Sequence, residues 1–227
     1  MSLYGRDFLS IQEWSTEELE QVLDLAADLK EKQQRREAHP ILRGKTLGMI
    51  FQKSSTRTRV SFEVGMWQLG GQALFLSAND LQIGRGEPVK DTARVLSRYL
   101  DGIMIRTFSH AEVEELAAYA DIPVINGLTD RLHPCQAMAD LLTIREHKGS
   151  LKGLKMAYIG DGNNMVHSLM HGCAKFGMDI SVATPTAYEP NAGIVASAKQ
   201  VAQGTGSRIE LTQDVLEAAA GADVLYT

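Results

Sequence analysis

The sequence contains few cysteines and no long apolar run, and these two absences exclude several classes of protein. Cys135 and Cys173 are the only cysteines in the 227 residues, which is too few for a disulfide framework and suits a reducing cytosol. No apolar run is long enough to span a bilayer, and the N-terminal segment 1–6 has no apolar stretch of the kind that signal peptides carry. We therefore expect a cytoplasmic protein that has no membrane partner.

An excess of positive charge is also absent. The chain has 23 lysines and arginines against 28 aspartates and glutamates, which gives a formal net charge of -5 at pH 7. Proteins that bind nucleic acids or anionic membranes usually present a basic surface, so we expect no nucleic-acid partner either. The length is that of one or two domains.

The most informative segment is Lys53–Arg59, which reads Lys-Ser-Ser-Thr-Arg-Thr-Arg and lies between a predicted strand and a predicted helix. Backbone N–H groups and the dipole at a helix N-terminus favour anions. Hydroxyl groups add donors, and the planar fork of an arginine matches phosphate oxygens two at a time. An ordinary helix cap needs one hydroxyl and no arginine. We therefore predict an anion site for a phosphate group at Ser55–Thr58.

Strands and helices alternate along the whole chain, as apolar runs and apolar periodicity indicate. The predicted strands cover residues 46–51, 72–77, 102–106, 122–126, 154–159, 180–183, 208–211 and 223–227. Predicted helices start at 15 or 16 and cover 60–69 (with Val60, Val64 and Trp67 on one face), 89–100, 111–120, 134–148, a segment including 166–173, 192–202 and 213–220. This order predicts an α/β fold with two doubly wound parallel-sheet domains, 1–148 and 149–227, the second incomplete in this chain.

In open α/β sheets, ligands collect at the carboxyl ends of the strands. Four polar features follow strands here: Ser55–Thr58, Arg106, His133–Gln136 and Asn163-Asn164. Arg106 and His133 could stabilise a carbonyl oxygen as negative charge grows on it, and Gln136 could hydrogen-bond an amide. The chemistry they could share is transfer of a group from an acyl-phosphate-like donor. The alternatives are a surface salt bridge for Arg106 and a structural role for His133.

Two other patterns suggest metal or nucleophilic chemistry only weakly. His167 and His171 are four residues apart, but Ser168 stands where the H-E-x-x-H zinc motif has its glutamate, so we predict no metal site. Cys135 and Cys173 are predicted to be small buried groups, because nothing but a helix N-terminus near Cys135 would lower a thiol pKa.

Four motifs resemble the aspartate/ornithine carbamoyltransferase family over nearly the whole chain. They are Ser55–Arg59 (Ser-Thr-Arg-Thr-Arg), Gly84–Pro88 with Lys90-Asp91-Thr92, His133–Gln136 (His-Pro-Cys-Gln) and Gly160–Asn164 (Gly-Asp-Gly-Asn-Asn). The first motif marks the whole family, whereas Cys135 and the last motif resemble its ornithine branch. The resemblance implies a reaction of arginine metabolism and urea-cycle chemistry: carbamoyl phosphate and L-ornithine give L-citrulline and phosphate, without a cofactor or a metal.

The resemblance also implies which residues do this. The implied catalytic residues are Arg57, Arg106 and His133. The implied substrate-binding residues are Ser55, Thr56, Arg57, Thr58, Gln82, Arg106, His133, Pro134, Cys135, Gln136 and Asn164. The first four would hold the phosphate, and Gln136 would orient the carbamoyl amide. Asn164 would contact ornithine, and Gln82 would reach carbamoyl phosphate in a neighbouring subunit, which implies a homotrimer or a multiple of trimers.

The sequence departs from the family pattern at one place. Family members continue beyond the equivalent of Thr227 into segments that bind ornithine and into a final helix that packs back on the first domain, so we expect these 227 residues to turn over poorly or not at all. Three other functions stay open: a putrescine or other amine carbamoyltransferase, a non-catalytic module that binds phosphate or carbamoyl phosphate, and an NAD-dependent oxidoreductase. Against the last, the glycine pattern at 160–165 has Met165 in place of its third glycine, and Ala183-Thr184-Pro185 supplies no acidic residue after the next strand.

Overall fold

A computed structural model describes residues 3–227, so Met1 and Ser2 of the N-terminal segment lie outside the described residues. The predicted α/β fold is confirmed. The helices are α1 (Thr16–Gln34), α2 (Thr56–Gln68), α3 (Val89–Leu96), α4 (His110–Tyr119), α5 (Pro134–Lys148), α6 (Asn164–Phe176), α7 (Ala192–Thr205) and α8 (Val215–Ala219). The strands are β1 (Thr46–Phe51), β2 (Gln72–Ser77), β3 (Gly102–Arg106), β4 (Val124–Leu128), β5 (Lys155–Ile159), β6 (Asp179–Ala183), β7 (Ile209–Thr212) and β8 (Val224–Tyr226). No described helix is long and apolar enough to cross a membrane.

The contacts divide the chain into two compact units. The first contains the segment ending at Leu9 together with Gln21–Asp130, and the second contains Ser10–Glu20 and Arg131–Thr227. Helix α5, which the sequence analysis assigns to the first domain, falls in the second unit by this division. The domain boundary at residue 148 stays a prediction.

The first unit contains a four-stranded parallel sheet in the order β2-β1-β3-β4. Phe51, the last residue of β1, pairs with Ser77 of β2 and with Arg106 of β3. The carboxyl ends of these three strands therefore share one edge of the sheet. Ile50, Ile103, Ile105, Val113 and Leu116 belong to the core on one face of this sheet, and Met49, Met66 and Met104 belong to the core on the other.

The second unit contains a parallel sheet in the order β7-β6-β5-β8. Helix α6 is its most buried helix, since even its polar residues His167, Ser168 and His171 are less than a tenth exposed. Gly172 permits the close approach of α5, because a Cβ atom there would lie 2.8 Å from Cδ1 of Leu141.

Three local differences from the sequence prediction have physical causes. Helix α2 begins at Thr56 rather than at residue 60, because the side chain of Ser55 caps it inside the hydroxyl-rich segment. Strand β4 begins two residues later than predicted, since Pro123 has no N–H group for the sheet hydrogen bonds. Helix α3 ends at Leu96, and Arg98 and Tyr99 continue it as a tighter turn with N–H groups bonded three residues back.

Candidate functional site

The hydroxyl-rich segment forms the N-terminus of α2. The Oγ of Ser55 accepts a hydrogen bond from the backbone N–H of Thr58 at 3.2 Å, and its hydroxyl donates to Oγ1 of Thr58 at 3.1 Å. Thr56 and Arg57 are the first two residues of the helix and are exposed. The first N–H groups of a helix have no partner within the helix. The segment therefore places the N–H groups of Thr56 and Arg57 at the positive end of the helix dipole, and the anion site there stays a prediction.

Arg106 lies directly beside this segment. The N–H of Gln52, just after β1, donates to the Arg106 carbonyl at 2.9 Å, and Nη1 of Arg106 lies 3.5 Å from Oγ1 of Thr58. Burial lowers the pKa of the Arg106 guanidinium. Its Nε is buried, and within residues 3–227 it has neither a hydrogen-bond partner nor a carboxylate at ion-pair distance. A partly buried cation that lacks an anion is unfavourable, so this geometry fits an external anion and disfavours the surface salt bridge.

The two arginines of the Ser-Thr-Arg-Thr-Arg motif differ in their contacts. Nε of Arg59 lies 2.9 Å from a carboxylate oxygen of Glu63, and its Cζ lies 3.8 Å from the centre of the Phe75 ring. Arg57 is exposed and has no ion pair among the described residues. Arg57 is therefore the arginine of this motif that is available to an anion, whereas Arg59 is held against the edge strand β2.

Polar contacts that sequence reasoning missed hold the strand ends around this site. Thr107 is fully buried, and its hydroxyl lies 2.8 Å from Oε1 of Gln52 and 2.5 Å from Oε2 of Glu112, which also contacts the Gln52 amide. Lys53 pairs with Asp130 at 3.0 Å. The available signal is position, because Gln52 and Thr107 each follow the last residue of a strand.

Gln82 begins a short 3₁₀-helix, Gln82–Arg85, in the loop between β2 and α3. Its side chain is exposed, and among the described residues it makes no hydrogen bond to Ser55–Thr58. Gly86, with φ of 95°, ends the turn in the left-handed region that favours glycine. The first unit alone thus does not bring Gln82 together with the anion site.

His133, in the second unit, is the N-cap of α5, and Pro134 follows in the first turn as predicted. The backbone N–H of His133 donates to Oγ of Ser168 at 2.8 Å. Gln136 is exposed, and its amide donates to Asp140 at 2.9 Å. Cys135 is partly exposed as a residue, but burial raises the pKa of its thiol to about 12. The thiol is thus neutral at pH 7.

The Gly160–Asn164 motif forms the turn between β5 and α6. Asn163 caps the helix, and its Oδ1 accepts from the N–H of Met165 at 2.9 Å. Asn164 is the first helical residue and is half-buried. Gly162 donates its N–H to the Tyr188 carbonyl at 2.7 Å, and a Cβ atom on it would lie 2.2 Å from the nitrogen of Pro190.

His167 and His171 of α6 use both of their ring nitrogens in hydrogen bonds within the protein. Nδ1 of His171 lies 3.2 Å from the His167 carbonyl, and its Nε2 lies 3.0 Å from Oγ of Ser197. Both nitrogens of His167 are bonded as well. Within residues 3–227, no group of three or more His, Cys, Asp or Glu side chains could hold a metal ion. Cys173 is fully buried in the core, and burial raises its pKa to about 12.

A cavity of about 720 Å³ lies in the first unit, at the amino ends of the strands of its sheet. Apolar side chains dominate its lining, including Leu42, Leu47, Phe62, Met66 and Ile125. Its position opposite the strand ends that carry Arg106, together with this lining, makes it unsuitable for an anion.

Comparison with known proteins agrees with these observations. Residues 6–146 match the family model described as the carbamoyl-P binding domain of aspartate/ornithine carbamoyltransferase, and residues 152–227 match its Asp/Orn binding domain. The chain belongs to the aspartate/ornithine carbamoyltransferase family. Ser55–Thr58 and Arg106 lie in the part that matches the first domain of this family, and so do His133 and Gln136.

Relatives within the family resemble the whole of the chain. It is 62% identical over 226 residues to ornithine carbamoyltransferase of Carboxydothermus hydrogenoformans, covering all of this chain and 73% of that protein. The identity to the Anoxybacillus flavithermus ornithine carbamoyltransferase is 64% over 227 residues, covering 72% of that protein. The solved structure of ornithine carbamoyltransferase from Pyrococcus furiosus superposes with a TM-score of 0.98 at 54% identity, over all of this chain and 72% of that one.

Because burial lowers the pKa of His171 to about 4 from an ordinary 6.5, acid should destabilise the second unit. The unfolded chain binds a proton at this residue below pH 6.5, and the folded chain does so only near pH 4. The stabilisation is complete above pH 6.5 and is lost as the pH falls. We expect a loss of about 2 kcal/mol from this residue between pH 7 and pH 5.

Urea unfolding of the protein at pH 7 and at pH 5 measures this loss. His171→Asn, which keeps a donor for the His167 carbonyl, should lose less stability on acidification than the parent. The exposed His147→Asn serves as the control and should behave as the parent does. An equal loss in all three proteins would contradict the assignment to His171.

Proposed function

We propose that the reaction of this protein is transfer of the carbamoyl group from carbamoyl phosphate to the δ-amine of L-ornithine, which gives L-citrulline and phosphate. The observation that carries the proposal is Arg106, a partly buried cation with a buried Nε and no carboxylate partner in the described chain, next to the donors of Ser55–Thr58. The names of relatives about 60% identical support ornithine as the acceptor. The enzyme would act in the cytoplasm, and it needs neither a metal nor a cofactor for this chemistry.

In this proposal the phosphate group binds at the N-terminus of α2. Ser55, Thr56 and Thr58 supply hydroxyl and backbone donors, and Arg57 adds a charged fork. The exposed, unpaired state of Arg57 supports its role, since binding would not require another ion pair to break. Charge-assisted hydrogen bonds of this kind fix the orientation of the substrate as well as its affinity.

The carbonyl of carbamoyl phosphate is the group that reacts. The deprotonated δ-amine of ornithine attacks its carbon, a C–N bond forms, the C–O bond to phosphate breaks, and the amine loses its second proton. Arg106, His133 and Thr58 stabilise the negative charge that develops on the carbonyl oxygen, and Gln136 orients the carbamoyl amide. Pro134 and Cys135 complete this substrate-binding segment. The protein thus acts through positioning and preorganised charge rather than through a covalent intermediate.

Ornithine recognition is assigned to Asn164 at the start of α6. An asparagine side chain offers both a donor and an acceptor, so it suits an amino acid that carries both ammonium and carboxylate groups. The exposure of Gln136 and the half-buried state of Asn164 leave both side chains within reach of small molecules.

We also propose that copies of the chain associate through the exposed face of α2, as a trimer or a multiple of trimers. Val60, Val64 and Trp67 lie on one face of this helix, as predicted, but the face is exposed, with Trp67 77% accessible. Phe75 of the neighbouring edge strand β2 is 39% exposed. Exposed apolar groups that cluster in this way are typical of association surfaces, and Gln82 would reach a neighbouring subunit's substrate.

The anion site can be tested with Arg57 and Arg59, which differ by two positions and in their contacts. Arg57→Ala should weaken binding of both phosphate and carbamoyl phosphate by about ten- to a hundredfold, the value of a hydrogen bond to a charged group. Arg59→Ala is the matched control and should change both dissociation constants less than threefold. Isothermal titration calorimetry measures all four values. Equal effects of the two substitutions would show that the anion binds elsewhere.

Arg106 should show opposite effects on binding and on stability. Arg106→Met removes a partly buried charge but retains an apolar side chain of similar length, so the free energy of unfolding without ligand should stay the same or rise. Carbamoyl phosphate should bind at least tenfold more weakly, because the donor to its carbonyl is lost. Urea unfolding and calorimetry on the same sample test both effects. A large loss of stability would mean that Arg106 is a structural residue.

The association surface can be tested at Trp67. Trp67→Glu places a charge in the middle of the apolar face and should shift the protein to monomers in sedimentation velocity at micromolar concentration. Leu216→Glu, at an 81% exposed leucine of the second unit, is the control and should sediment as the parent. A monomeric parent would contradict the proposed association.

A further inference from the structure

The three residues before α5, which are Arg131, Leu132 and His133, form neither a helix nor a strand. His133 has φ of -138° and ψ of 70°, and its side chain makes no capping hydrogen bond to α5. Hydrogen bonds from elsewhere in the second unit help to fix the conformation of this segment. Two adjacent residues of α6 supply these hydrogen bonds.

Ser168 holds the end of the segment. Its Oγ accepts the His133 N–H at 2.8 Å, and the residue is 2% exposed. The neighbouring His167 holds the start, because its Nδ1 lies 2.9 Å from the carbonyl oxygen of Arg131. A carbonyl oxygen can only accept, so the proton of this imidazole is on Nδ1.

The second nitrogen of His167 confirms this tautomer. Its Nε2 lies 3.0 Å from the backbone N–H of Asn191, which can only donate. Burial lowers the pKa of His167, which keeps the ring neutral, as both contacts require. His167 is therefore a fixed bridge between the segment before His133 and the start of α7.

The next turn of the same helix provides a contrast. His171 is also buried and also uses both ring nitrogens, but its partners are the His167 carbonyl and Ser197. It makes no hydrogen bond to residues 131–133 among the described residues. Burial on α6 is therefore not enough to place a histidine against residues 131–133, since His171 is buried on the same helix and bonds elsewhere.

We propose that His167 and Ser168 are positioning residues for His133: together they fix the backbone at Arg131 and at His133, and so the placement of the imidazole that acts on the carbamoyl group. This inference rests on the proposed function for the role of His133. Because α6 begins at Asn164, the helix that contacts ornithine in the proposal also orients the group that polarises the carbonyl.

Two substitutions of His167 separate this role from a structural one. In His167→Asn the amide lies near the place of Nδ1 and keeps the donor to the Arg131 carbonyl. In His167→Gln the amide lies near the place of Nε2 and keeps the acceptor for Asn191. Positioning predicts that Gln weakens carbamoyl phosphate binding about five- to tenfold, a hydrogen bond's contribution, while Asn stays within twofold of the parent.

Inorganic phosphate is the internal control, because it lacks the carbamoyl group on which His133 acts. Its dissociation constant should not change in either variant. Ser168→Ala should weaken the binding of carbamoyl phosphate as much as His167→Gln does. Ser168→Thr keeps the hydroxyl and should bind carbamoyl phosphate as the parent does. His171→Asn should lower stability only. Equal effects of Asn and Gln at position 167, or a parallel loss of phosphate binding, would overturn the proposal.

A readout without ligand distinguishes failure of this inference from failure of the proposed function. The backbone amide of His133 should be protected from hydrogen exchange in the parent and should lose that protection in Ser168→Ala. If the parent binds neither phosphate nor carbamoyl phosphate, the proposed function fails, and the exchange of this amide still tests the positioning contact. An unprotected His133 amide in the parent would overturn the positioning role directly.

Discussion

The pairing of β1 with β3 is the constraint on which the proposed anion site depends. Phe51 and Arg106 are register partners, and the N–H of Gln52 continues the ladder to the Arg106 carbonyl. One parallel register therefore determines both where the hydroxyl-rich segment begins and where the guanidinium of Arg106 lies. A shift of one residue would turn Arg106 to the other face of the sheet and separate it from Thr58. The buried Thr107, bonded to Gln52 and Glu112 just beyond the strand ends, opposes such a shift.

Arg106 is a partly buried cation whose charge the described chain does not compensate. Desolvation disfavours the charged form of Arg106, and no carboxylate in the described chain offsets it. Arg59 shows the opposite arrangement, because it is paired with Glu63 and stacked on Phe75. The protein therefore pairs the arginine that lies against the edge strand, whereas Arg57 and Arg106 have no carboxylate partner among the described residues. Partly buried charged groups with a shifted pKa, such as Arg106, are enriched at functional sites.

The sequence predicts the fold where local signals are strong. Strands β1, β2 and β3 match their predicted bounds, because each is a short apolar run between polar or glycine-rich turns. Ser55 and Arg106 could be placed at the sheet edge for the same reason. Periodicity could not show that Val60, Val64 and Trp67 are exposed, since it identifies a face of a helix but not what covers it. The contacts of Ser168 with His133 join residues 35 positions apart, and no local pattern indicates them.

The glycines of the turn before α6, Gly160 and Gly162, resemble a dinucleotide-binding pattern, but their contacts differ from those of a dinucleotide site. In a dinucleotide site the second glycine allows the backbone to approach a pyrophosphate, and the helix N–H groups bind it. Here the close approach at Gly162 is to the backbone at Pro190, and the N–H of Met165 is already bonded to Asn163. No arginine lies in this turn, in contrast to the N-terminus of α2. The two helix N-termini thus differ in chemistry: one carries arginine and hydroxyl groups, and the other carries amides that both donate and accept. The contacts of Gly162 and Met165 therefore argue against an NAD site in the turn before α6.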